Sequence, residues 1–220
     1  MNLNSNQTKS IETITQLNSR FCLKNNLYSG SLDSDRNQSR VNHWQTQTIA
    51  LADCVGQMER NGCSLYHLTL TYKPYGLREY RESDVSQFFK NFYMAGFLPF
   101  LLQTNKFNRP NKRPLQPVCF AFVDEHENNP RVEWKHVGDG EIKASGQFAE
   151  RLHHHAIIVA KPETVDRLNS MLGENTFATN YFSPKIMTSC LQQANIGVVP
   201  YAAKMMWKYP EYLLFSGGVQ

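Results

Sequence analysis

The chain of 220 residues carries only five cysteines, and Cys22, Cys54, Cys63, Cys119 and Cys190 are scattered without one C-x-x-C pair. An odd and dispersed set argues against a disulfide framework and against a zinc site made of cysteines, and it fits reduced thiols. Long apolar runs are also missing. The greasiest stretch, residues 92–102, is too short to cross a bilayer and contains Pro99. Residues 1–20 are rich in Asn, Ser, Thr and Gln and have no apolar core of a signal peptide, so a cytoplasmic protein without a membrane partner is expected. There is no Walker-type phosphate loop and no internal repeat. A large charge surplus is absent too: 23 Lys plus Arg stand against 19 Asp plus Glu, a formal net charge of +4. That balance excludes a strongly acidic protein and permits a nucleic-acid partner without specifying one.

What is present suffices for a core, since 41% of the residues are apolar. Residues 1–20 read as a polar tail. Val41, Trp44, Thr48, Leu51 and Val55 recur at helical spacing and predict a helix over 41–58, so residues 21–62 read as an N-terminal helical extension to a domain over 63–220. After Gly62, residues 64–72 (SLYHLTLTY) alternate strictly: Tyr66, Leu68, Leu70 and Tyr72 share one face, while His67, Thr69 and Thr71 share the other. Asp84 with Gln87 suggests a capping box, and the following helix carries Val85, Phe88, Phe89, Phe92 and Tyr93 on a core-facing stripe. Residues 117–125 (PVCFAFVDE) and 152–160 (LHHHAIIVA) read as two further strands, with a hairpin turn expected at Asp139-Gly140 between them. Pro162 opens a helix that Gly173 stops. Pro200 opens another, of about two turns, that Pro210 stops. Strands interleaved with helices, without a regular βαβ beat, predict an α+β domain with a mainly antiparallel sheet.

The chemistry concentrates in three places. In a strand, residues two apart point the same way, so His153 and His155 converge on one face while His154 faces the other. Neutral imidazoles bind divalent metals, and two on one face are costly to bury without a partner. A third ligand is on offer at the end of the preceding strand, where Asp124 and Glu125 point to opposite faces, so that either one, but not both, can join the histidines. Such a mixed N/O set suits Mg²⁺ or Mn²⁺. Finally, Tyr201 and Lys204 lie three apart on one helical face. A phenol, with an ordinary pKa near 10, is a useful nucleophile only where the electrophile is polarised and a cation stabilises the developing charge.

Taken in order, HLTLTY (67–72), DE (124–125), HHHAII (153–158) and YAAK (201–204) make the chain resemble the HUH endonuclease superfamily. In particular it resembles the single-tyrosine Rep proteins that initiate rolling-circle replication of plasmids and single-stranded DNA phages. One departure is His154, where a hydrophobic residue is usual. The resemblance implies a central five-stranded antiparallel sheet with flanking helices. It makes His153, His155 and Glu125 or Asp124 the ligands of a divalent metal, Tyr201 the nucleophile and Lys204 its helper. It sets Thr69, Thr71 and Lys73 along the DNA groove. The implied activity is site-specific nicking and joining of single-stranded DNA, hairpins included, at a replication origin through a 5′-phosphotyrosine link. A separate host helicase and polymerase would supply unwinding and synthesis. The tyrosine follows the histidines, unlike the order in relaxases, and Met205 stands where two-tyrosine enzymes carry their second tyrosine. The alternatives are a one-tyrosine transposase, a hydrolase using activated water, and a non-catalytic DNA-binding replication regulator.

Overall fold

The computed structural model describes residues 34–73, 80–125, 134–137, 141–144, 152–174, 185–206 and 208–216. Its frame is an antiparallel sheet of six strands: β1 (Ser64–Tyr72), β2 (Val118–Glu125), β5 (Leu152–Ala160), β6 (Gly173–Glu174), β7 (Ile186–Ala194) and β8 (Tyr212–Phe215). Their order across the sheet is β6-β7-β1-β5-β2-β8. The five strands implied by the family likeness become six because a strand of two residues pairs with β7 at one edge while β8 closes the other against β2. β3 (Trp134–Val137) and β4 (Glu141–Ala144) pair as a separate two-stranded sheet between β2 and β5 in the chain. Their register brackets the expected turn, whose residues lie outside those described. The polar tail, 1–20, lies outside them as well.

Helices cover both faces. On one lies α1 (Ser34–Arg60), with the short α5 (Val198–Ala202) beside it. On the other lie α2 (Glu82–Asn91), a wide π turn over Phe92–Phe97, α3 (Leu98–Leu102) and α4 (Pro162–Asn169). The alternation of the strands sorts side chains between two cores. Tyr66, Leu68, Leu70, Cys119, Ala121 and Ile158 pack against Phe89, Phe92, Phe97 and Leu168. Leu65, Val118, Phe120, Ile157 and Val159 pack against Trp44, Leu51, Val55 and Val199. Burying both faces in this way lets β5 be buried at every one of its nine residues, as strands covered on both sides are.

α1 supplies one of the two helical layers, because its apolar stripe has the sheet to cover. One expectation needs correction. The capping box lies three residues earlier than expected. Arg81 is the N-cap, and its backbone N–H donates to the Asp84 carboxylate at 3.0 Å, leaving Gln87 to bond Asn91 one turn on. A carboxylate at N3 reaches back to the cap, so Asp84 serves as the acidic end of the box instead of its start.

One contact couples α1 to the far end of the chain. The Trp44 indole N–H donates to the Ala203 carbonyl at 2.7 Å, and both residues are buried. Ala203 sits between Tyr201 and Lys204, so this bond pins the segment that carries them. Trp44→Phe, which keeps an aromatic ring but leaves the carbonyl only its second partner, the Met206 N–H at 3.1 Å, should lower the unfolding free energy by about 1 kcal/mol, read by urea denaturation. A change of a few tenths would mean that water replaces the indole.

Candidate metal centre and its tyrosine

Strand pairing builds the site. β5 lies between β1 and β2, with Asp124 opposite His153 on one side and Thr69 opposite His155 on the other. His153, His155 and Asp124 share the face covered by α1 and α5, at the end of the apolar stripe that Ile157 and Val159 begin. All three are buried: the histidines are each 3% exposed and Asp124 is 0% exposed. Groups this polar do not stay buried without partners.

Their partners are one another. Asp124 Oδ2 lies 3.2 Å from His153 Nε2 and 2.8 Å from His155 Nε2, and the two Nε2 atoms are 3.2 Å apart. Donors bound side by side at about 2.1 Å from one ion are themselves about 3 Å apart, so the triangle has the dimensions of one face of a coordination sphere. Asp124, His153 and His155 could therefore hold a metal ion. Glu125, the other candidate, faces away. Its carboxylate accepts from the Tyr209 hydroxyl at 2.6 Å and pairs with Lys208. Strand alternation forced that choice between neighbours, and the pairing of β2 with β5 decided it for Asp124.

The protonation states suit a metal. Burial works to raise the Asp124 pKa, but hydrogen bonds to His153 and His155, the field of His153 and the Lys204 ammonium outweigh it and hold the carboxyl well below its usual range. His155 is pushed down to about 4 by burial and by the positive fields of His153 and Lys204, although Asp124 opposes the shift. An anionic carboxylate beside a neutral imidazole is the state in which both can act as ligands.

His67, which sequence reasoning passed over, supports this arrangement from behind. Its Nε2 lies 3.0 Å from His155 Nδ1, with Thr69 Oγ1 at 3.2 Å from the same atom. To present its Nε2 lone pair to a metal, His155 must carry its proton on Nδ1, and those two atoms are the acceptors available to it. Burial and the charges of His155 and Lys204 lower the His67 pKa to about 4, which keeps it a neutral acceptor. The signal was in the alternation of β1: residue 67 shares the face of Thr69.

Tyr201 and Lys204 arrive from α5 and the turn after it. The two-turn helix expected after Pro200 is shorter, Val198–Ala202, with Pro200 inside its first turn and hydrogen-bonded turns following. The Tyr201 ring stands edge-on to His155, centroids 4.9 Å apart, and to His67 at 5.6 Å, yet the residue is 50% exposed. Lys204 Nζ reaches Asp124 Oδ2 at 2.7 Å and lies 4.6 Å from the centre of the Tyr201 ring. The structure thus gathers Asp124, His153, His155, Tyr201 and Lys204 on one face. Of the expected groove residues, Thr69 touches the centre, Thr71 bonds Thr188 on the neighbouring strand, and the Lys73 backbone N–H bonds the Lys185 carbonyl at 2.8 Å. His154 goes into the opposite core, against Phe89 and bonded to the Tyr72 hydroxyl at 2.9 Å; burial drives its pKa down to about 3, so it remains neutral there.

Comparison with protein-family models, with curated proteins and with solved structures finds no match to this chain. Among the described residues, no helix is long and apolar enough to cross a membrane.

Asp124→Asn should remove saturable Mn²⁺ binding in calorimetry; a variant that still binds at wild-type affinity would take the carboxylate out of the ligand set. His67→Phe keeps the ring but deletes the acceptor, and should weaken Mn²⁺ binding about ten- to a hundred-fold, the usual consequence of losing the group that orients a ligand. An unchanged affinity would leave Thr69 as the sole acceptor.

Proposed function

We propose that the protein is a single-tyrosine HUH-type endonuclease that nicks and rejoins single-stranded DNA at a replication origin to start rolling-circle replication. The observation that carries this reading is the half-exposed Tyr201 ring set against His155 and His67, beside a carboxylate-histidine triangle, with Lys204 reaching both. A metal centre alone has many uses. A solvent-accessible phenol and an ammonium held at its rim are what transesterification at a phosphodiester needs.

In this reading Asp124, His153 and His155 hold a divalent ion, Mg²⁺ or Mn²⁺, which when bound supplies Lewis-acid polarisation of the scissile phosphate. The remaining steps belong to the chain. The Tyr201 oxygen attacks phosphorus in line, the new bond is a 5′-phosphotyrosine ester, and the bond to the 3′-oxygen breaks. The proton lost from the phenol is balanced by the one gained at the leaving 3′-oxygen. Lys204 lies where it can stabilise negative charge on the phenolate and on the phosphoryl oxygens. The reverse attack by the 3′-hydroxyl reseals the strand, because the covalent ester conserves the bond. The α1 contact to Ala203 fixes the nucleophile's segment before substrate arrives, which lowers the entropy cost of alignment. Lys73, at the same end of the sheet as His153, lies toward the path of the strand entering the site.

Incubation with single-stranded origin DNA and Mn²⁺ should give an adduct that survives denaturing electrophoresis, and Tyr201→Phe should abolish it. Nicked product without adduct would point to activated water; DNA binding with neither would point to a regulator; an adduct that persists in Tyr201→Phe would refute the assignment of the nucleophile. Lys204→Ala should slow cleavage by roughly a hundredfold or more, the effect of removing one transition-state donor. An unchanged single-turnover rate would make it a bystander.

A further inference from the structure

One stretch of the chain outside the candidate metal centre carries basic residues and no carboxylates. Residues 85–123 contain no Asp or Glu at all. Within that stretch the loop between α3 and β2 carries Lys106, Arg109, Lys112 and Arg113, a number equal to the whole formal surplus of +4. Lys106, Arg109 and Arg113 are exposed and Lys112 is half-buried. None of the four is ion-paired with an acidic side chain among the described residues. Asn105, Asn108 and Asn111 alternate with them and add neutral hydrogen-bonding groups.

The loop is built, not slack. Arg109 N–H bonds the Lys106 carbonyl at 3.2 Å, Lys112 and Arg113 N–H both bond the Arg109 carbonyl at 2.9 Å, and Leu115 N–H bonds the Lys112 carbonyl at 3.0 Å. Gln116 fastens the far side by donating to the Phe107 carbonyl at 2.7 Å, and Lys161, at the end of β5, donates to the Pro114 carbonyl at 2.6 Å. Phe107 and Leu115 pack down onto the core. The cations are therefore presented outward on a fixed platform.

We propose that this loop is a second nucleic-acid surface, which grips the phosphate backbone of duplex DNA without reading its sequence. Two observations select the duplex. Binding of single strands relies on exposed rings on which bases stack, and the one aromatic ring of the loop, Phe107, is committed to the core. The loop also lies at the opposite end of the sheet from the metal centre: Val118 opens β2 beside it and Asp124 stands near the far end. Six strand residues at about 3.3 Å each put about 20 Å between the two, roughly six base pairs of duplex at about 3.4 Å per pair. A nucleic acid held here would be gripped several base pairs away from any strand at Tyr201. The surface needs nothing from the chemistry at Asp124, so it stands or falls separately from the nuclease reading.

The test is fluorescence anisotropy with a 20-base-pair duplex of arbitrary sequence, titrated between about 50 and 200 mM salt, on the full chain. The combined variant Lys106→Gln, Arg109→Gln, Lys112→Gln, Arg113→Gln should bind the duplex at least tenfold more weakly. Its slope of log affinity against log salt should be shallower by about 0.9 for each phosphate that the variant no longer neutralises. Its melting temperature and its Mn²⁺ binding should match the wild type, and Arg109→Gln alone should show a smaller loss in the same direction. Wild-type duplex affinity in the combined variant would overturn the proposal. So would a wild-type protein that ignores the duplex but binds vesicles containing phosphatidylserine. Should no nicking be found in any protein, the anisotropy result is unaffected.

Discussion

A carboxylate with no access to water must find its counter-charges inside the protein, and the organisation of one face of this sheet follows from how Asp124 does so. Two imidazole nitrogens and one ammonium converge on a single oxygen of that group. The Asp124 pairing with His153 spans β2 and β5, and the Lys204 pairing reaches across from the segment after α5. Replacing any one of them leaves a buried charge with too few partners, which is costly in a region of low dielectric. The same concentration of donors is what makes the cluster a candidate metal centre: one point in space where an ion would satisfy all of them.

Around that point the protein arranges supports in layers. His67 and Thr69 on β1 sit behind His155 and provide acceptors for its Nδ1 proton. Trp44 on α1 holds the Ala203 carbonyl and so holds the tyrosine-bearing segment. His154, between His153 and His155, is turned into the opposite core, where its bond to the Tyr72 hydroxyl ties β5 to β1 at that position. A slip of β5 by one residue would exchange the faces of all three histidines, and this buried contact works against such a slip. Function in the reading advanced above depends on rigid elements meeting at a rim, with only Tyr201 left half in solvent.

The chain separates two kinds of positive charge. Lys204 is engaged by Asp124 and Lys208 by Glu125, within the site and beside it. The cations of the 103–116 loop have no such local task and are held outward by backbone turns and by Gln116. Electrostatic attraction between exposed charges and a polyanion is long-ranged and needs little geometry, whereas the metal centre needs donors fixed to fractions of an ångström. In the readings proposed above, the two demands are met at opposite ends of one sheet.

The sequence by itself determined what is local. The two-residue period of 64–72 and 152–160 settles that His67, Thr69 and Thr71 share a face and that His153 and His155 share one, because side-chain direction in a strand depends only on backbone alternation. The helical stripe at Trp44, Leu51 and Val55 is legible for the same kind of reason. What only the tertiary structure decided is everything that depends on which strand lies beside which. The pairing of β2 with β5 chose Asp124 over Glu125, the pairing of β1 with β5 brought His67 behind His155, and the sheet's need for cover made α1 a layer of the domain. These two pairings join residues from 27 (Glu125 and Leu152) to 96 (Ser64 and Ala160) positions apart in the chain, and no period within a short segment encodes its partner. Alternation fixes faces; neighbours are chosen by the fold.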